Sequence, residues 1–212
     1  SLSGTIPAAL GNLTNITSLD LDHNKFTGPL PASLGQLHRL ISFYIDHNYL
    51  SGTIPASYGN MTRLKDLYLY FTQLSGKIPD SLGDLSKLVV LDLSGNHFSG
   101  SIPATFHKLT KLYGFIANNN ELTGTIPAFF GELPRLGNVY VGDNQFSGTI
   151  PENFGSLEKL ETIGLNSNGI TGTIPSTLGQ LRFLNTLQIN NNFLMGHVPD
   201  ALTLLHHLVD FE

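Results

Sequence analysis

The sequence predicts an α/β solenoid. This is a right-handed superhelix of 24-residue turns, with a parallel β-sheet on its concave face and 3-10 or irregular turns on its convex face. Three observations predict it. The pattern L-x-L-x-x-N-x-F-x-G-x-x-P is first complete at Leu19, Leu21, Asn24, Phe26, Gly28 and Pro31, and it returns every 24 residues to the end of the chain. Self-similarity at a fixed period of this size is the mark of stacked repeats. Within each repeat a short run alternates apolar and polar residues, as a strand with one buried face requires. Finally, a glycine column from Gly4 to Gly196 and a proline column from Pro7 to Pro199 run without a break.

Each part of the repeat follows from its residues. Leu19, Phe43, Leu67, Leu91, Phe115, Val139, Ile163, Leu187 and Phe211 form one inward column; Leu21, Ile45, Leu69, Leu93, Ala117, Val141, Leu165 and Ile189 form the next. Neighbouring strands stack about 4.8 Å apart, so residues 24 apart touch. Ala117 is the small outlier, a shallow defect unless Phe115 fills it. The asparagine column is Asn24, Asn48, Asn96, Asn120, Asn144, Asn168 and Asn192. A buried Asn there can pair turn amides that otherwise lack partners. Thr72 interrupts the column, so an irregular turn is expected at Phe71-Thr72. Glycine then supplies backbone angles that other residues resist. Proline fixes φ and cannot donate to a central ladder. A short extended piece near Thr53-Ile54 and a helical turn over Ala56–Asn60 are therefore expected. The period never slips, and nothing suggests a linker, so residues 1–212 read as a single domain of about nine repeats.

The spacing Ile16, Leu19, Leu21, Asn24, Phe26 and its copy Leu88, Leu91, Leu93, Asn96, Phe98 resembles the leucine-rich repeat. The half that follows, Ser51, Gly52, Ile54, Pro55, Tyr58, Gly59, Met61, is similar to the plant-type class. The resemblance covers the whole chain. It implies ectodomains of receptor kinases and receptor-like proteins in signalling or defence, or secreted polygalacturonase inhibitors. Relatives of this kind bind a protein or peptide on the concave face, and the resemblance leaves room for a co-receptor. Secreted relatives usually close each end with cysteine-paired caps. This chain has no cysteine, so the caps are expected outside it, or the protein is intracellular. Ser1 opens mid-repeat and Glu212 stops inside a strand, as a segment of a longer protein would.

Composition narrows the functional classes. The net charge is −5, against the basic footprint that nucleic-acid binding needs. No run approaches the roughly 18 apolar residues of a membrane span. No serine has a histidine and an acid at a motif spacing, and no phosphate loop is present, so neither an enzyme nor a cofactor is expected. Asn12, Asn15 and Asn60 open N-x-[ST] sequons, all on the convex side. Arg39, Arg63, Lys87, Lys111, Arg135 and Lys159 form one convex basic column. It reads as a solvated edge, with a polyanion-binding stripe as the alternative.

The concave surface is the expected site, because repeat proteins bind there. Tyr44, Tyr68, Tyr70 and Phe71 fall on adjacent strands as an aromatic patch, beside Asp20, Asp22, Asp46 and Asp92, and Ile116 and Tyr140 extend the track. Exposed aromatics with polar handles anchor interfaces. With acids around them they suit a peptide carrying basic and apolar side chains. The alternative is cross-strand pairing that only stabilises the sheet. Asp22-His23 stacked on Asp46-His47 offers four potential metal ligands, but consecutive side chains on an extended strand diverge, so no metal is expected. The functional expectation is ligand recognition by an extracellular or cell-surface receptor domain. Its rivals are a secreted inhibitor of a wall-degrading enzyme, an ice- or surface-binding protein with a regular Asn or Thr array, and an intracellular adaptor.

Overall fold

A computed structural model describes all 212 residues. One strand per repeat, beginning with Ser18–Asp20, Ser42–Tyr44 and Asp66–Tyr68, joins a nine-stranded parallel sheet in sequence order. Its register is an unbroken 24, as in Leu19↔Phe43 and Phe43↔Leu67. Pairing outruns the formal strands: the Ile45 and His47 amides donate to Tyr68 and Tyr70 carbonyls, both at 3.1 Å. The inward columns therefore meet in one hydrophobic core, with Phe43, Leu67, Leu69 and Leu91 fully buried.

The second extended piece differs from expectation. It lies at Tyr49–Gly52, ahead of Thr53-Ile54; in other repeats it runs one residue past the glycine, as in Lys25–Pro29 and Gln73–Lys77, and the glycine takes positive φ, +81 at Gly52, where other residues are strained. These pieces form seven-stranded and two-stranded parallel sheets. Their register is 22, as in Gly4↔Phe26, so this ladder is sheared by two residues against the concave one. Proline then opens nine 3-10 turns, and the turn expected over Ala56–Asn60 occupies those residues. There is no α-helix, and no helix is long and apolar enough to cross a membrane.

The asparagines tie repeat to repeat. Asn48 Nδ2 donates to the carbonyls of Ile45 and Asp46 in its own turn and of Leu21 in the turn before, at 3.0, 3.1 and 3.0 Å. Its Oδ1 accepts the Phe26 amide at 2.9 Å. Thr72 leaves the backbone regular, contrary to expectation: Phe71 has φ +47, against +49 and +50 at His23 and His47. The Thr72 hydroxyl instead reaches the Leu69 carbonyl at 3.2 Å and the Asn96 amide oxygen, and two turns with intact asparagines hold the geometry from either side. What is lost is the bond to the Leu50 amide that an asparagine would accept. Ala117 is fully buried. Two residues away on the same inward face, Phe115 packs against Phe106 and Phe130 at 6.0 and 5.4 Å.

The convex face has its own ladder, and one break. Ser57 and Ser81 hydroxyls each donate at 2.7 Å to a carbonyl of the preceding turn. That closeness needs Gly59, where a Cβ would lie 2.3 Å from the Ser81 carbonyl oxygen. At the corresponding places stand His107 and Phe129. Phe129 has no hydroxyl to give, and His107 Nδ1 satisfies the Ala104 carbonyl itself at 2.7 Å.

Restoring and removing one rung tests the asparagine ladder. Thr72→Asn should raise stability by about 1 kcal/mol, and Asn96→Ala should lower it by about 3 kcal/mol, by leaving the Leu74 amide and turn carbonyls unpaired. Urea midpoints measure both; an unmoved midpoint in Asn96→Ala would contradict the ladder's role.

Candidate functional site

The concave register places Asp20, Tyr44, Tyr68, Asp92, Ile116 and Tyr140 side by side in one column. Four of the expected residues come together as a continuous aromatic surface. Tyr44 and Tyr68 rings lie 5.2 Å apart, Tyr68 and Tyr70 6.1 Å, Tyr70 and Phe71 5.6 Å. The last two contacts are edge-to-face, the geometry ring quadrupoles favour. The three tyrosines are half-buried and Phe71 is 55% exposed, a large apolar ring with nothing over it.

Phe71 owes its position to the backbone. The residue before each ladder position, asparagine or Thr72, has positive φ: His23, His47, Phe71, Gly95, Asn119, Asp143, Ser167 and Asn191 span +47 to +62. A bulky residue in this left-handed region is strained. The Phe71 ring then lies over Gly95, whose missing Cβ would fall 2.4 Å from Phe71 Cδ1. Only glycine there leaves room for the ring.

The acids are placed less uniformly than expected. Asp20 is exposed and Asp22 partly so. Asp92 is half-buried, and its Oδ1 accepts the Ser94 amide at 3.0 Å and hydroxyl at 2.7 Å. Asp46, expected among the exposed acids, is only 2% exposed. The His23 and His47 rings stack at 4.3 Å beside it, and Tyr70 flanks it, so its carboxylate faces protein and not solvent. Sequence reasoning missed Asp66. It sits two residues before Tyr68 and so on the same strand face, and its Oδ2 accepts the Ser42 hydroxyl at 3.1 Å. Ile116 and Tyr140 join the column but not the aromatic patch. With Asn118, Gly142, Asp143, Asn166 and Gln188 they line a separate shallow depression of about 420 Å³. Asn12, Asn15 and Asn60 are all exposed.

Phenol ionisation reports the local field. Burial pushes the Tyr68 phenol up, and Asp66, Tyr44, Asp92 and Asp46 add to it. Tyr70 is raised to about 12 by burial and by Asp46 beside it. The patch is thus apolar in surface and negative in potential. On the convex side, Lys87 foremost, then Arg135 and Lys65, depress the Lys111 ammonium by like-charge repulsion.

The expected divergence of each Asp-His pair does not occur. Positive φ at His23 and His47 swings each ring back toward the preceding carboxylate. His23 Nδ1 lies 3.2 Å from Asp22 Oδ2, and His47 Nδ1 lies 3.5 Å from Asp46 Oδ2. The signal was present in the column's composition, since Gly, Asn and Asp are the residues that favour this conformation.

Family comparison agrees with this geometry. One leucine rich repeat model matches residues 38–98, and a second matches residues 15–37, 135–157 and 159–181. The chain belongs to the leucine-rich repeat family. Solved structures place it in the plant type. It is 38% identical to the plant peptide hormone receptor RGFR1 in complex with RGF2, over 99% of this chain and 34% of that one, with a TM-score of 0.96. The Arabidopsis receptor kinase HAESA, in complex with the peptide hormone IDA and the co-receptor SERK1, is 33% identical over 99% of this chain and 36% of its own, TM-score 0.94. A plant ice-binding protein is 27% identical over 94% of this chain and 72% of its own, TM-score 0.72. This chain therefore spans about a third of the two receptors. No curated protein matches it in sequence.

Burial raises the Asp92 carboxyl above 3.8, despite the opposing Ser94 hydrogen bonds. A raised carboxyl binds more protons folded than unfolded, so stability falls as pH rises from about 3.8 through the folded value. Asp92→Asn keeps the oxygen that Ser94 uses and removes the charge. It should melt higher than the parent at pH 7, and the gap should close below about pH 3.8. A variant that melts lower at pH 7 would show that the carboxylate is stabilising there.

Proposed function

We propose that this chain is the ligand-recognition part of an extracellular plant-type receptor, and that it binds a secreted peptide with basic and apolar side chains on its concave face. The observation that carries the reading is the aromatic surface of Tyr44, Tyr68, Tyr70 and Phe71 with Asp20, Asp22, Asp66 and Asp92 around it. Rigid aromatic rings supply contact area at little entropic cost, and the flanking acids steer a cationic partner and fix its register. Ile116 and Tyr140 extend the track into the shallow depression they line, which suits an extended ligand crossing several repeats. Support comes from RGFR1 and HAESA, each solved with a peptide hormone or peptide ligand. HAESA with SERK1 also supports a co-receptor as second partner. The exposed sequon asparagines Asn12, Asn15 and Asn60 suit a glycosylated ectodomain, and the chain acts by binding and not by catalysis.

Peptides selected from a secreted-peptide library on the immobilised chain test the reading. Tyr68→Ala with Tyr70→Ala should weaken the selected peptide by about tenfold or more, or 1.4 kcal/mol per decade. Asp20→Asn with Asp66→Asn should flatten its salt dependence. Affinity unchanged in the tyrosine pair would overturn the assignment.

A second reading, adsorption to ice, has one feature in its favour besides the plant ice-binding relative. The second sheet carries a hydroxyl column through Thr27, Ser51, Ser75, Ser99, Thr123, Ser147 and Thr171. Several of these hydroxyls are already engaged: Ser75, Ser147 and Thr171 donate to glycine carbonyls of the preceding repeat at 3.3, 3.2 and 3.0 Å. A thermal-hysteresis assay decides it. A freezing gap that Thr123→Val abolishes would favour ice, and no gap would remove that reading.

A further inference from the structure

Beside the aromatic patch lies a cluster that peptide recognition does not use. Asp46 has a side chain 3% exposed; the Tyr70 hydroxyl lies beside its carboxylate, but no donor meets Oδ2 in hydrogen-bond geometry. Buried polar atoms are rarely left unpaired, and each exception asks for a reason. His47 Nδ1, also buried and unpartnered, lies 3.5 Å from this oxygen, and His23 Nδ1 lies 3.9 Å from it. One ligand atom from each of the three residues falls within 4.8 Å of the other two. Three potential ligands, two of them unpartnered, converge on one small volume.

We propose that His23, Asp46 and His47 form a three-ligand site for a zinc-type divalent transition-metal ion, with a remaining coordination position open to the concave surface. Tetrahedral bonds of 2.0–2.2 Å set ligand atoms roughly 3.3–3.6 Å apart. The His47 separation of 3.5 Å falls in that range and the His23 separation of 3.9 Å lies just beyond it, and the two stacked rings must part for both nitrogens to aim at one ion. His23, with a side chain 62% exposed, is free to turn and close the difference.

An ion-pair reading explains the cluster less well. At 3.5 and 3.9 Å neither imidazole makes a hydrogen bond to Asp46 of ordinary length. Protonating both would set two cationic rings face to face at 4.3 Å. One divalent ion satisfies the two unpartnered atoms, His47 Nδ1 and Asp46 Oδ2, at once, with His23 turning to it from Asp22, and keeps both rings neutral. Two imidazoles and one carboxylate select zinc, nickel or copper over magnesium and calcium, which prefer oxygen.

The surroundings hold the ligands as a metal site requires. Tyr70 and Phe71 each meet His47 edge-on at 5.1 Å, which fixes that ring. Asp22, 3.2 Å from His23 Nδ1, adds negative charge at the rim. The backbone that makes this convergence is the positive φ at His23 and His47.

The test uses the untagged chain, stripped with chelator and titrated with zinc chloride by calorimetry. One equivalent should bind with a Kd of about 10 µM or tighter, and magnesium chloride should not compete. His23→Asn should weaken binding by about tenfold or more. Asparagine already occupies this backbone position at Asn119 and Asn191, so the variant keeps the fold. Asp46→Asn should do the same, with circular dichroism checking that it folds. Histidine side-chain NMR should show zinc-dependent shifts at Nδ1 of His23 and His47. His206→Gln with His207→Gln, an exposed vicinal pair, should leave zinc binding unchanged. No saturable binding below about 100 µM, affinity unaltered in His23→Asn, or binding lost with the His206 and His207 pair would each overturn the proposal.

Discussion

The structure depends on one side chain used again and again, the ladder asparagine. Its amide closes a turn and reaches back to the turn before, while its oxygen takes an amide from the preceding repeat's second strand. A single residue thereby sets the distance and rotation between repeats. Because every rung imposes the same relation, the concave register stays at 24 and each exposed residue stands beside its counterpart. A binding surface on such a scaffold is written one column at a time. The Thr72 exception shows how firmly neighbours enforce the rule, since the backbone there stays regular.

The residue before the asparagine is where regularity becomes function. Its left-handed backbone lifts the side chain off the sheet and turns it toward its neighbours. Glycine, asparagine and aspartate hold that conformation easily. Phe71, His23, His47 and Ser167 hold it at a cost, and the first three border the aromatic and acidic surface. Strain of this kind persists where the surrounding structure over-determines it. Phe71 is accommodated by the empty space over Gly95, so the ring and the glycine one repeat later belong to one device. The same geometry draws the two histidines onto Asp46 and makes a buried carboxylate out of one expected on the surface.

Much of this was legible beforehand. The period, the inward columns, the Asn ladder, the place of the 3-10 turns and the aromatic grouping all follow from residues 24 apart. The second strand was misplaced by a few residues because its pairing begins just after the asparagine, with a register of 22 that the 24-residue period does not reveal. Burial of Asp46 depends on the positions of His23, His47 and Tyr70 rings, which a column does not specify. Other features lie outside a one-period pattern altogether. The Tyr113 hydroxyl donates to Glu161 Oε1 at 2.9 Å across two repeats, and the His107–Phe129 pair rewires the convex ladder through two substitutions that are separately unremarkable.

Hydrogen exchange of the chain, with and without a saturating peptide selected on it, tests the central claim most directly. Concave recognition predicts new protection in residues 20–22, 44–45, 66–71 and 92–94, with the 3-10 turns and the second sheet unchanged. Protection confined to the convex turns or to the hydroxyl-bearing sheet would contradict it and move the binding surface to the other side of the solenoid.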